Sequence, residues 1–465
     1  MNKSRNDIRN IHVSSSLIHN VYLFLFVFYF STLNAQDSLK VRINPPNQFT
    51  WSILYQLKDI KQNYINNKQI NQDSLFSYDL TGKEPGVYLL MYDMNPKNFV
   101  YFIYNNESVS LEVFPFENNR INVLESKENK LYIPFDKKQK KLNSSLQKIE
   151  EKLFNNTISQ TDKELFIQLK KKYDSLHAVY ESKSKNLLAE NLIKNSRTYY
   201  PDSIYPLEKY LELKELHFFD YLDFYDKDVQ HSNIIIDKIN DYVFNFNMPK
   251  KAEDKHLKYL KKIERVLKLI KDENYRNNII LSLSLSFVDV DGRVTKLLIE
   301  KYIKKMSEEI QNQIDLDKLL DKIGLTIGEK APNFTFQDVK GQKYSLYEIT
   351  SSQPYTLLVF WSSTCSHCLT SLPKVNQLIE NQPDLKAIAI GLENEKYTWS
   401  TEHLNFPNFI HGLKLQKWNN PVAKTYHIKS TPTYFILNNK NIIVDISYKV
   451  KDIQAFLKQY PKRNN

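Results

Sequence analysis

LLVFWSSTCSHC, residues 357–368, contains the only two cysteines of a 465-residue chain. Leu357 to Trp361 is a short continuous apolar run of the kind that fills a strand buried on both faces. SHCLTSLPKVNQLIE, residues 366–380, then carries apolar residues at helical spacing. Disulfide stabilisation grows with the loop closed, and Cys365 and Cys368 close almost none. They read as a reactive pair. At a strand-to-helix junction Cys365 meets the unpaired N–H groups and positive dipole end of the helix, which favour the thiolate, the attacking species. Cys368, one turn further in, is expected to be more buried and to resolve a mixed disulfide. His367 between them offers a hydrogen bond or a positive charge, and either stabilises the thiolate and makes the disulfide more oxidising.

Other cysteine chemistry fits less well. A structural zinc site needs four ligands, and neither a second cysteine pair nor a histidine pair at finger spacing is present. Haem attachment requires histidine directly after Cys368, where the chain has Leu369. A peroxidatic cysteine follows Pro-x-x-x-Thr/Ser-x-x-Cys; Ser362 matches, but Leu358 takes the place of the proline. Thiol–disulfide exchange leads, ahead of an inert pair and of peroxidase or metal roles. No metal or other cofactor is implied, since the electrons reside on the sulfurs.

Around this stretch the text alternates strand and helix. LKAIAIG (385–391) is a second buried strand, TPTYFILNN and IIVDIS form a terminal hairpin, and KDIQAFLKQ is a closing helix. Strand, helix, strand, hairpin and helix is a thioredoxin-like α/β order, assigned to residues 324–465. Glycine is absent from Val87 through Asp291. Residues 136–323 read as an all-α helical domain. Thr161 and Glu164 give a capping-box pattern there, with Leu165, Phe166, Leu169, Tyr173, Leu176 and Tyr180 on one face. Lysines in HLKYLKKIERVLKLI and VTKLLIEKYIKKM are expected on a solvated face, and the aromatics of HFFDYLDFYD (217–226) in packing between helices. Residues 36–135 read as a small antiparallel β domain. Val109, Leu111 and Val113 alternate as in a half-buried strand, and Asn105 and Asn106 supply a turn before them. These two domains carry no visible catalytic cluster, which leaves them packing or the binding of a protein partner.

Lys3, Arg5 and Arg9 precede the apolar run Val21–Phe30, and Ala35 precedes a polar start. A membrane-spanning helix needs about 20 apolar residues. The segment 1–35 is therefore expected to be a secretory signal peptide cut after Ala35, with a periplasmic mature chain. The formal net charge of +11 is spread thinly, and no compact basic motif interleaved with aromatics marks a nucleic-acid module.

IGEKAPNFTFQDVKGQKYSL (327–346), LLVFWSSTCSHC, Pro373 in the following helix and STPTYFIL (430–437) together resemble the exported TlpA/ResA-like branch of the thioredoxin family. The resemblance covers the last 140 residues or so. The upstream layout resembles multidomain exported members from Bacteroidetes. The resemblance implies an N-terminal hairpin, a helix-plus-strand insertion from about Glu395 to Trp418, and a cis Thr431–Pro432 bond beside Cys365. It also implies a substrate-binding surface of Thr431, Pro432 and Trp361, and protein thiol or disulfide substrates with a membrane or periplasmic electron donor. Two acids usual in such sites are missing. Val359 stands where plain thioredoxin has a buried Asp, and Ser371 where several reducing relatives have Glu. His367 is one substitute for these acids and Glu393, at the end of a predicted strand, a weaker one; Glu393 is otherwise expected to be a solvated loop residue, and His427 to lie at the surface or in packing. The expected activity is disulfide reduction; an oxidase of the same chemistry, and a partner-binding protein with a vestigial redox site, are the alternatives.

Overall fold

The computed structural model describes residues 37–459 apart from 95–97, 248–251, 381 and 383. The expected signal segment, residues 1–35, lies outside them. The chain forms two compact units, 1–247 and 248–465, so the helical stretch 136–323 is divided between both. Among the described residues no helix is long and apolar enough to cross a membrane.

The first unit opens with eight strands: β1 (Ser38–Ile43), β2 (Trp51–Lys58), β3 (Lys61–Gln69), β4 (Leu75–Asp79), β5 (Gly86–Met91), β6 (Phe99–Tyr104), β7 (Val109–Phe114) and β8 (Arg120–Glu125). They form two four-stranded sheets, ordered β4-β1-β7-β8 and β3-β2-β5-β6. Val109, Leu111 and Val113 of β7 point inward and share one core with Leu54, Tyr88, Leu90 and Phe102 of the other sheet. The Asn105–Asn106 turn therefore carries the chain across the sandwich, not between paired strands. Pairing is antiparallel except for β1, which runs parallel to β7. The expectation of a purely antiparallel domain is corrected here, because the first strand joins its sheet beside a partner about 70 residues downstream, where no hairpin dictates direction.

Helices α1 (Lys127–Phe154), α2 (Gln160–Lys183) and α3 (Leu188–Ser196) follow. The cap of α2 is Ser159, not Thr161: Asp162 N–H donates to Ser159 Oγ at 3.1 Å, and Ser159 N–H donates to the Asp162 carboxylate at 3.0 Å. Starting there, the helix buries Phe166, Tyr173 and His177 and leaves Leu165 exposed. Of the aromatics after Leu216, Phe218 and Phe219 pack against Tyr242 as expected, whereas Tyr221 and Tyr225 are exposed because they lie on the outer side of this segment.

Two buried residues of α1 join helices to sheet. Asn129 stands in for a neighbouring strand at the edge of β6: Ile103 N–H donates to its Oδ1 at 2.8 Å, and its Nδ2 donates to Ile103 O at 2.6 Å. The Glu128 carboxylate accepts from Leu188 N–H and Ala189 N–H at 3.0 and 2.8 Å, capping α3. Replacing Asn129 by Leu leaves two buried backbone groups unpaired, so Asn129→Leu is expected to destabilise the first unit by about 2–4 kcal/mol. Denaturant unfolding followed by a probe in residues 37–247 measures this.

In the second unit a hairpin, β9 (Thr335–Gln337) and β10 (Lys343–Ser345), leads into a five-stranded sheet. Its strands are β11 (Tyr355–Trp361), β12 (Leu385–Glu393), β13 (Ile410–Leu415), β14 (Thr433–Asn438) and β15 (Ile443–Ser447), ordered β13-β12-β11-β14-β15. β11, β12 and β13 are parallel, and β14 and β15 antiparallel. The apolar run of β11 divides between two cores. Leu357, Val359 and Trp361 face one, under helix Ser366–Glu380; Leu358 and Phe360 face the other with Ile388, Ile390 and Phe435. That division explains why β11 reads as continuously apolar.

Candidate thiol site

β11 ends at Trp361, and the chain needs four residues to turn into helix Ser366–Glu380. Cys365 N–H donates to Ser362 O at 3.1 Å, closing the turn, and Leu369 N–H donates to Cys365 O at 3.1 Å, starting the helix. Cys365 thus occupies the N-cap position, where a side chain receives an otherwise unpaired helix N–H. Its sulfur does so: Cys368 N–H donates to Cys365 Sγ at 3.2 Å.

The two thiols lie in different surroundings. Cys365 is half-buried, and partial burial alone disfavours its thiolate. Contacts from the Cys368 thiol, from the Thr431 side chain and from the N–H groups of Cys368 and His367 outweigh that cost and hold its pKa below the ordinary thiol value. Cys368 is wholly buried, and desolvation together with the adjacent Cys365 sulfur pushes its pKa up to about 12. The Thr431–Pro432 bond is cis, as the resemblance implied, and Cys365 Sγ–H donates to Thr431 O at 3.2 Å. Thr431 is half-exposed and Pro432 buried.

Not every expected residue meets the sulfurs. His367 is exposed, and its contact with Cys365 comes from the backbone N–H, with no side-chain bond to that sulfur among the described residues. Trp361, expected at the substrate surface, is buried at 0 % exposure, and its ring packs edge-on against Phe406 at 5.5 Å. Here Trp361 sits on the inward face of β11 and is covered from the segment after β12, so it supports the turn from beneath. His427 bonds the Asp321 carboxylate through Nδ1 at 3.0 Å.

Glu393 is the clearest departure. It closes β12 and is 3 % exposed, not in a solvated loop. Its carboxylate accepts from Ser363 N–H at 2.5 Å and from Ser362 Oγ–H at 3.1 Å. Strand register accounts for this. Trp361 lies opposite Gly391, so Glu393 falls level with Ser363 just beyond the end of β11. An acid ending an apolar parallel strand, two places past the partner of the last residue of β11, was the available signal. Among the described residues no group of three or more His, Cys, Asp or Glu side chains is arranged to hold a metal ion.

Residues 327–446 match the AhpC/TSA family. The chain is 28 % identical over 133 residues to the thioredoxin-like protein YneN of Bacillus subtilis, covering 27 % of this chain and 73 % of that protein. A thioredoxin-like protein of Haemophilus influenzae is 27 % identical over 112 residues, covering 24 % of this chain and 65 % of its own length. Among solved structures, a domain of a possible thiol-disulfide isomerase from Cytophaga hutchinsonii is 26 % identical with a TM-score of 0.27, covering 30 % of this chain and 94 % of that domain. The thioredoxin domain of a Bacteroides vulgatus thiol-disulfide oxidoreductase is 21 % identical with a TM-score of 0.27, covering 29 % and 98 %. The similarity over these residues is to thioredoxin-like proteins.

Two measurements check this geometry. Iodoacetamide near neutral pH is expected to label Cys365 and spare Cys368, whose labelling rises only as the pH climbs toward about 12, where that thiol ionises; equal labelling rates contradict the asymmetry. Replacing Glu393 by Leu leaves the Ser363 N–H unpaired and is expected to cost about 1–3 kcal/mol, read from thermal or denaturant unfolding of the second unit.

Proposed function

We propose that this protein is an exported, periplasmic thiol–disulfide oxidoreductase of the TlpA/ResA-like type that reduces disulfides in protein substrates. The observation that carries the reading is the inequality of two thiols three residues apart, one half-exposed at the helix N-cap with the Cys368 N–H on its sulfur and its pKa lowered, the other wholly buried with its pKa raised. Cys365 thiolate attacks one sulfur of a substrate disulfide. That S–S bond breaks, the second substrate sulfur leaves as a thiolate and takes a proton from solvent, and Cys365 is joined to the substrate. Cys368 then loses its proton and attacks Cys365 Sγ, freeing the first substrate sulfur and leaving a Cys365–Cys368 disulfide. Two electrons pass to the substrate, and a membrane or periplasmic donor returns two to the pair.

Thr431 O, within reach of Cys365 Sγ, is the main-chain group proposed to pair with an extended substrate segment. The reductive direction is favoured over the oxidative one because the His367 imidazole, the feature that argued for a more oxidising disulfide, makes no bond to the Cys365 sulfur. His367→Ala is accordingly expected to move the reduction potential by less than about 15 mV, half of the roughly 30 mV that corresponds to 1.4 kcal/mol for a two-electron couple. Export is supported by Lys3, Arg5 and Arg9 before the Val21–Phe30 run and by Ala35 after it.

The test uses the full chain. Cys368→Ala is expected to accumulate mixed disulfides with envelope proteins and Cys365→Ala to accumulate none, while the unaltered chain reduces insulin disulfides with dithiothreitol as donor. Loss of neither trapping nor reduction on removing Cys365 would sink the assignment. N-terminal sequencing of the exported protein is expected to begin at Gln36; a chain still carrying Val21–Phe30 contradicts the cleaved, periplasmic form.

A further inference from the structure

The inner wall of the thiol site carries a phenol. Tyr434, second residue of β14, lies opposite Val359 of β11 and is wholly buried. It packs in the same cluster as Trp361, Cys368 and Leu372, with Cys365 against that cluster. Its hydroxyl has no hydrogen-bond partner among the described residues. The neighbouring Ser371 hydroxyl donates to His367 O at 2.6 Å and lies close enough to the phenol to lower its pKa, without meeting it at hydrogen-bond geometry. A buried donor left unpaired is costly, and phenylalanine would fill the same volume without that cost.

The adjacent thiol has the complementary need. Cys368 must ionise to resolve a mixed disulfide, yet it lies buried, and the groups that favour its thiolate are the Ser362 backbone and Thr431. The acids on neighbouring strands are engaged elsewhere: Glu393 of β12 accepts from Ser362 and Ser363, and Asp445 of β15 from Ser447. Burial raises the pKa of Tyr434 and negative charge on Cys368 or Cys365 raises it further, which outweighs the lowering contact of the Ser371 side chain, so the phenol keeps its proton while a thiolate stands nearby.

Building on the thiol-exchange reading, we propose that the Tyr434 hydroxyl is the hydrogen-bond donor that stabilises the Cys368 thiolate during resolution of the mixed disulfide. The Cys368 proton passes to solvent, Tyr434 O–H turns to the sulfur left negative, and that sulfur attacks Cys365 Sγ. The Cys365–substrate bond breaks as the Cys365–Cys368 bond forms, and the substrate leaves as a thiolate that takes up a proton from water. Tyr434 stays protonated throughout. Its contribution falls on the second step, since Cys365 already has its own donors in the N–H groups of Cys368 and His367.

The experiment follows the reduced full chain with oxidised glutathione as the probe, acid-quenched at intervals and read by mass spectrometry for glutathione on Cys365. Tyr434→Phe removes only a hydroxyl that has no partner at hydrogen-bond geometry in the resting protein, so the variant is expected to keep its fold, and an unchanged rate of adduct formation serves as the control. The adduct is expected to persist about ten-fold longer near neutral pH, and the pH at which resolution accelerates to rise by about one unit. Ser371→Ala, which removes the hydroxyl beside the phenol and leaves the phenol in place, is expected to leave the adduct lifetime within about two-fold. Identical lifetimes and pH profiles for Tyr434→Phe overturn the proposal and leave thiol exchange standing. So does a loss of adduct formation equal to the loss of resolution, or an effect of Ser371→Ala as large as that of Tyr434→Phe. An unaltered chain that never forms the Cys365 adduct overturns both readings.

Discussion

A carboxylate shielded from water holds the turn on which both cysteines depend. Burying a charged group costs several kcal/mol unless hydrogen bonds replace its hydration. For Glu393 the replacements are the Ser363 N–H and the Ser362 hydroxyl, the first residues beyond β11. These bonds fix where Ser362 sits, and Ser362 O receives the Cys365 N–H that closes the turn before the helix. Trp361 supports the same turn from below with its ring against Phe406. The position of the reactive sulfur is thus set by a strand end, one acid and one aromatic side chain.

Given that turn, the inequality of the thiols follows from helix geometry. A residue at the N-cap keeps its side chain beside the free N–H groups, whereas one three residues on enters the first turn and, here, the core. The same amino acid therefore becomes an acceptor for helix N–H groups at 365 and a packed, desolvated group at 368. β14 completes the site from the other side, presenting Thr431 ahead of the strand and the Tyr434 ring within it.

The parts legible in the sequence were those that local patterning dictates. Helix 366–380 has the bounds its text suggested, and β11 differs from its apolar run only at the start, because a strand buried on both faces and a helix packed on one leave distinct local signatures. Where the pattern was degenerate it misled. Thr161 with Glu164 and Ser159 with Asp162 both fit a cap, and the structure uses the second pair. The remaining differences concern distant pairings. The burial of Trp361 depends on Phe406, the role of Glu393 on the register of β12 against β11, and the parallel course of β1 on β7. None of these is written within a few residues of the position concerned. Nor does the sequence mark a change between 247 and 248, since helices on either side share one composition while packing into different units.

The residues just before the thioredoxin-like domain belong to its site more closely than the glycine at 324 suggests. Helix Leu316–Ile323 ends there, and its last carbonyls need donors that the helix cannot supply. Lys429 provides them, with Nζ donating to Asp321 O and Lys322 O at 3.2 and 3.1 Å, while His427 bonds the Asp321 carboxylate. Both donors come from the segment that runs into Thr431. A Cβ at 324 would lie 3.0 Å from His427 Cβ, and the positive φ of 67° there already favours glycine, so the helix end and this loop pack closely. The loop that places Thr431 O against Cys365 is thereby tied on one side to the thiol and on the other to a helix outside the five-stranded sheet. Cutting the chain at 324 would leave Lys429 and His427 without these partners and remove one of the two restraints on Thr431. The physical unit of the thiol site consequently begins before residue 324, with the helix whose end the Thr431 loop caps.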